Sequence, residues 1–240
     1  ARRAATSARS RLAPMIEITT DLRLLFGAAR DQGARPTCMA FAASDAHAGL
    51  RDGWAPLSCE FAFYHAQRRA GRSPAQGALL PAMLDALRGD GQPEERGWPY
   101  LESVPEDHGL WSPPAVAGDR YGRDGQPGSK NLASIIALLD KGRPVVILTM
   151  LSRSFFMPTG DGVVDPANDE QPEPSQRHAV IAVGHGKVDG ATALLVRNSW
   201  GAGWGLDGHA WLTERFLAPR LFATATLMEE VDVSSSTLAA

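Results

Sequence analysis

Cys38, His178 and Asn198 are the residues of this 240-residue chain that offer the most chemistry together. Cys38 lies in "RDQGARPTCMAFAAS" (30–44), after a Gln-Gly pair and a proline, at the head of an Ala-rich apolar run. A thiol at a helix start meets unpaired N–H groups and the positive end of the helix dipole, both of which favour thiolate. His178 opens the apolar run "HAVIAVGHG" (178–186), 140 positions after Cys38. Asn198 follows 20 positions later, in "VRNSWGAGWGLDGHAWL" (196–212). A cysteine nucleophile needs a base for its proton, a third group to orient that base, and donors for an oxyanion. Cys38, His178, Asn198 and the Gln32 amide are the right types for these four roles. Taken singly, each has a plainer reading. A free cysteine is commonly a small buried hydrophobe, and an Asn before Ser-Trp-Gly commonly forms a turn.

The three stretches resemble the papain-like cysteine peptidases. "DQG" ahead of the cysteine, "HAVIAVGHG" at the histidine and "NSWGAGWG" at the asparagine carry the resemblance, with weaker matches at "DLR" (21–23), "LS" (57–58) and "WPY" (98–100). It spans roughly residues 20 to 228 and implies a role for each matching position. Cys38 is the implied nucleophile, His178 its proton partner and Asn198 the group that orients the imidazole. Gln32 and the Cys38 backbone N–H are the implied oxyanion donors, and Trp200 the indole that shields the His–Asn hydrogen bond. Gly77, in "QGALL", and Ala179 are the implied substrate contacts. The resemblance further implies peptide-bond hydrolysis through an acyl-enzyme, by an endopeptidase that takes a polypeptide substrate and needs no cofactor or metal. An inhibitor or regulatory partner is compatible with it. So are two other readings: a catalytically silent peptide-binding domain, and amide transfer or deamidation through the same thioester.

Departures from the family pattern are informative. The family signature around the nucleophile is C-G-[SA]-C-[WY], whereas this chain reads Arg35-Pro36-Thr37-Cys38-Met39. Arg35 replaces a cysteine that normally pairs, and Cys59 does not sit where its partner would be. With two cysteines in all, the expectation is free thiols, a bacterial-type relative and a reducing, cytoplasm-like compartment. The roughly 20 residues before "DLR" are shorter than the family's inhibitory segment, so restraint is expected from a further segment, a partner or localisation. Arg177 stands where papain has an aspartate. A guanidinium there should disfavour the imidazolium of His178 and draw the alkaline limb of activity to lower pH.

The elements that must position these residues follow from composition and pattern. Hydrophobic residues make up 44% and charged residues 21%, ordinary globular usage, and the net charge of −3 gives no basic surplus for nucleic acid. The longest apolar runs, such as "PVVILTML" (144–151), fall far short of a membrane span. Helices are expected at 38–51, entered through Pro36 and a capping Thr37, at 58–71 capped by Ser58 and stopped by Gly71, at 79–91, and at 131–142. Short β-prone runs fill the second half, after a loop-rich middle from Pro93 to Gly128. The expected architecture is α+β with two lobes and a cleft between them: a flexible leader (1–18), a helical lobe (19–116), a β-rich, barrel-like lobe (117–230) and a frayed tail (231–240). His47, His65, His108, His185 and His209 lack metal-site spacing, and the acidic "DGVVDPANDE" (161–170) reads as a solvated loop beside the cleft.

Overall fold

The computed structural model describes residues 13–115 and 117–233; the Arg- and Ser-rich opening and most of the expected tail lie outside them. Three helices lie in the first half of the chain: α1 (Cys38–Gly49), α2 (Cys59–Ala70) and α3 (Leu80–Gly89). Local chemistry sets their ends. Ser58 Oγ accepts from the Phe61 N–H at the start of α2, and Gly71 ends it with φ of 61°, a left-handed turn that suits glycine. Asn131 caps α4 (Leu132–Leu139) in the same way, accepting from the Ala133 N–H. Thr37 occupies the cap position of α1 but makes no capping bond; its hydroxyl shares a hydrogen with Tyr100 Oη at 2.8 Å instead. From Met39 to Gly49 every residue of α1 is buried, so this helix runs through the interior rather than along a surface.

The β-prone runs become one mixed sheet. Its strands are β1 (Ile16–Asp21), β2 (Gly122–Pro127), β3 (Val145–Leu151), β4 (Val163–Val164), β5 (Glu173–Val188), β6 (Ala191–Arg197), β7 (His209–Thr213) and β8 (Leu221–Val231). The strand order is β2-β8-β3-β5-β6-β7-β4, with β1 added along β5. Two short helices, α5 (Arg153–Phe156) and α6 (Glu214–Leu217), sit in its connections. Both faces of the sheet are covered. Along β3, Val146 and Leu148 face the core under α1–α3, while Val145 and Ile147 face a second core closed by α4, α5 and α6. Two-sided burial is why these strands read as unbroken apolar runs.

Three elements depart from the sequence reading. The stretch 161–170, expected to be a solvated loop, contains the buried strand β4, which pairs with β7. The stretch expected to be loop-rich contains β2, which pairs with β8. Residues 16–18 of the expected leader and 19–21 of the expected helical lobe form β1, a strand of the other lobe's sheet. The cause lies on the partner strand. A Cβ at Gly184 would come within 2.4 Å of the Thr20 carbonyl oxygen, and one at Gly186 within 2.0 Å of that of Glu17, so β1 crosses β5 only over glycine.

A buried charge cluster joins the helices to the sheet behind the cleft. On β6, Arg197 donates from Nε to Asp45 of α1 at 2.9 Å, and to the carbonyls of Gly27 and Ala28 at 2.8 and 2.6 Å. Arg30 donates to the other Asp45 oxygen at 2.8 Å and also contacts Glu95 at 3.2 Å. Two guanidiniums and two carboxylates thus compensate one another, as buried charges require.

Candidate active site

Four segments converge where α1 meets the sheet. Cys38 is the first residue of α1, so its backbone N–H has no partner within the helix. His178 lies on β5, Asn198 directly follows β6, and Gln32 sits on the segment before α1. That last segment is stitched to the Asn198 loop. The Gln32 N–H donates to the Ser199 carbonyl at 2.8 Å, the Gly201 N–H donates to the Arg30 carbonyl at 3.0 Å, and Asp31 bridges to Trp200. Sequence-distant Gln32 and Asn198 are therefore neighbours through backbone pairing.

The His178 Nε2 to Asn198 Oδ1 distance is 2.6 Å. Asn198 Oδ1 also accepts from the Ser199 N–H at 2.8 Å, which fixes the amide and makes Nε2 the donor. In that tautomer Nδ1 is the free lone pair. The ring is packed between Phe155, centroid 5.6 Å away, and Trp200, at 4.7 Å. Cys38 is half-buried, and the backbone N–H groups of Ala179, Met39 and Cys38 itself favour its thiolate, that of Ala179 foremost. Ala179 follows His178 directly, and Cys38 and His178 line the same cleft.

Burial opposes charge on both groups. It pushes the Cys38 thiol up, against the three N–H donors, and the His178 imidazole down to about 4, against the hydrogen bond to Asn198. A thiolate at Cys38 is favoured by those donors. Arg177 does not bear on this balance as expected from the sequence. Its Nε donates to the Pro174 carbonyl at 3.1 Å and its guanidinium lies over the Phe222 ring at 5.4 Å. It is exposed to solvent, and its charge is not a cause of the His178 shift.

Gln32 is held at both ends of its amide. Oε1 accepts from Ser199 Oγ at 2.7 Å and Nε2 donates to the Arg35 carbonyl at 2.8 Å. One N–H of Nε2 is left for the cleft, where Cys38 and His178 also lie. The cleft has a volume of about 360 Å³ and is walled by Gln32–Pro36 and Gly77 on one side and by Ser175–His178, Leu151, Phe156 and Trp200 on the other. Gly77 is thus at the wall. Ala179 supplies its N–H; its side chain is buried in the core under α1–α3. A larger hollow of about 550 Å³ between α4 and α6 shares no residue with this cleft. Among the described residues, no group of three or more His, Cys, Asp or Glu is placed to hold a metal, and no helix is long and apolar enough to cross a membrane.

The family profile described as "Papain family cysteine protease" matches residues 111–217, which include His178, Asn198 and Trp200. That stretch, a little under half of the chain, is similar to the papain family. Gln32 and Cys38 precede the matched stretch, and their placement rests on the geometry above. A "Cysteine protease" of Blomia tropicalis is 33% identical over 124 residues, covering 50% of this chain and 34% of the relative. The alignment thus spans about a third of that relative's own length. Among solved structures, xylellain, described as a cysteine protease from Xylella fastidiosa, superposes with a TM-score of 0.74 at 21% identity, covering 89% of this chain and 86% of that one. The structure reported for the mite allergens Blo t 1 and Der p 1 superposes with a TM-score of 0.68 at 24% identity, over 95% of this chain and 75% of that one. At these identities the likeness is one of fold: the α+β, two-lobed papain fold.

Sequence reasoning missed Ser199, which orients Gln32, and Phe155, which underlies His178. Both lie beside noted residues, but a hydroxyl in "NSWG" and a phenylalanine in "SFFM" carry no signal of their own. Cys38 and Cys59 are both free thiols.

Proposed function

We propose that the chain hydrolyses internal peptide bonds, with Cys38 as nucleophile, His178 as proton carrier, Asn198 as the group that orients it and Gln32 as an oxyanion donor. The observation that carries this reading is the short His178–Asn198 hydrogen bond beside a helix-start cysteine in an open cleft. His178 Nδ1 takes the thiol proton, and sulfur attacks the scissile carbonyl. The oxyanion meets the Gln32 amide and the Cys38 N–H. The imidazolium then protonates the leaving amine, and water releases the acid from the thioester. Trp200 and Phe155 keep water from the imidazole. The helical lobe, carrying Gln32 and Cys38, and the β-rich lobe, carrying His178 and Asn198, act as the two walls of the groove.

A peptide library incubated with the protein, with Cys38→Ala as control, tests this directly. Internal cleavage lost in the control supports it. Terminal trimming alone removes the endopeptidase assignment, and amide loss without chain cleavage replaces hydrolysis by deamidation. Alkylation by iodoacetamide across pH reports the nucleophile. Cys38 should react with an apparent pKa below the free-thiol value of roughly 8.5, because forming the ion pair moves its proton to His178. Buried Cys59, whose thiol is pushed up by burial, should stay unlabelled in the folded protein. An ordinary thiol curve at Cys38 would mean the proton moves only during attack.

Gln32→Ala should lower kcat on the order of a hundredfold, the usual loss for one oxyanion donor. It should also cost about 1–2 kcal/mol of stability, since Ser199 Oγ and the Arg35 carbonyl each lose a buried partner. A stability loss with unchanged kcat would make Gln32 purely structural.

A further inference from the structure

The residues that wall the cleft include no carboxylate, and its permanent charges are Arg35 and Arg177. Arg35 is neutralised by Glu60, with which it forms a buried ion pair at 2.6 Å. Arg177 is exposed and, among the described residues, forms no ion pair. Glu173, the acidic residue nearest to it in sequence, accepts instead from the Ser175 N–H and hydroxyl. The Arg177 guanidinium is nonetheless held in place. Nε donates to the Pro174 carbonyl at 3.1 Å, and Cζ lies over the Phe222 ring, 5.4 Å from its centroid. Neither contact uses the N–H groups of Nη1 and Nη2, the parts of a guanidinium that grip an anion two at a time.

The alternation of β5 decides which part of a substrate this cation meets. Ala179 and Ile181 face the core under α1–α3, whereas Val180 and Ala182 face the second core. By the same alternation Arg177 falls on the first face and His178 on the other. Phe222 and Cys38 pack against the first core, while Phe155 and Trp200, which flank the His178 ring, belong to or pack against the second. His178 must give its proton to the leaving amine, so the leaving fragment passes the His178 side. Arg177 lies on the side of the sulfur, which keeps the acyl fragment. An extended chain advances about 3.4 Å per residue, so a cation next to His178 reaches the side chains of the two residues before the scissile bond. We infer that Arg177 is a specificity-determining residue that receives a side-chain carboxylate from one of those two residues, and that acidic peptides are the preferred substrates. The inference rests on the peptidase reading given above. A guanidinium is a planar fork matched to a carboxylate, and one fixed before binding loses little freedom when the carboxylate arrives.

Peptides that the protein cuts, resynthesised with Glu, Gln or Lys at each of the two positions before the bond, test this. At neutral pH and low ionic strength, kcat/KM for Glu should exceed that for Gln about fivefold at one of these positions, the return of a well-placed exposed ion pair. The ratio should narrow as salt is added, because exposed charges are screened. In Arg177→Gln it should fall to about one. In Arg177→Glu the order should invert, with Lys ahead of Glu, which a cleft that was merely disturbed would not produce. Arg177→Lys should keep part of the preference, since it retains the charge and loses the fork. The salt dependence of the wild type and the inversion in Arg177→Glu carry the test if Arg177→Gln does not fold.

A Glu-to-Gln ratio under about twofold at both positions in the wild type, or a preference that Arg177→Gln and Arg177→Glu leave in place, would overturn the inference. In those cases internal cleavage of the library would leave the peptidase reading standing. A protein that cleaves no library peptide overturns the peptidase reading and the acidic preference with it.

Discussion

Alanine at His178 should lower kcat/KM on the order of a thousandfold or more, and the further loss from Asn198→Ala in that background should vanish. With His178 present, Asn198→Ala should cost on the order of tenfold to a hundredfold, as for a group that only orients another. The geometry gives the reason. Asn198 Oδ1 reaches the imidazole Nε2 at 2.6 Å and the Ser199 N–H at 2.8 Å, while its Nδ2 is buried without a partner. Its effect on the sulfur therefore passes through the imidazole, whose tautomer it sets by accepting from Nε2. Without the imidazole there is nothing left to orient. The measurement is a double-mutant cycle on kcat/KM with one library-derived peptide, run beside thermal melts of each variant. Additive losses would mean that Asn198 acts independently, through the Ser199 backbone and hence the Gln32 pairing.

The parts of this site that were legible in the sequence carry local signals. Ser58 and Gly71 announce the two ends of α2 by residue type, and both act as read. "NSWGAGWG" is specific enough to place Asn198 and Trp200 before any strand is known. What could not be read depends on partners far along the chain. "IEITTD" lacks a clean alternation, and it becomes a strand because Gly184 and Gly186, more than 160 positions later, let it approach. Thr37 has a capping side chain in a capping position, yet Tyr100 takes its hydroxyl. Of the two phenylalanines in "SFFM", one is core and the other faces the cleft, which only the orientation of α5 decides. Adjacency in sequence points Arg177 at the imidazole, whereas its side chain turns back to the Pro174 carbonyl and lies over the Phe222 ring.

Arg35 is the departure from the family pattern with the largest consequence for stability. It stands where the family signature has a cysteine, and the structure puts a buried ion pair there. Arg35 and Glu60 of α2 meet through two hydrogen bonds, of 2.6 and 3.0 Å, with both side chains excluded from solvent. The guanidinium is sandwiched by Phe63 at 5.5 Å and Tyr100 at 5.0 Å. Glu60 also accepts from Trp111 Nε1 at 2.7 Å and from the Leu101 N–H at 3.2 Å. Breaking one side of such a pair strands a charge in the interior. Glu60→Gln or Arg35→Met alone should therefore destabilise by about 3–5 kcal/mol, a fall of roughly 10 °C in Tm for a chain of this size. The double variant Arg35→Met, Glu60→Gln should regain most of that loss. Neither charge then remains, methionine fills the slot between the two rings, and the glutamine oxygen can still accept from Trp111. Activity should track the loop rather than the charge, because the Arg35 carbonyl, not its side chain, holds the Gln32 amide. Thermal melts of the four proteins decide the matter. A double variant no more stable than the weaker single would show that the two residues stabilise the nucleophile loop separately and not as a pair.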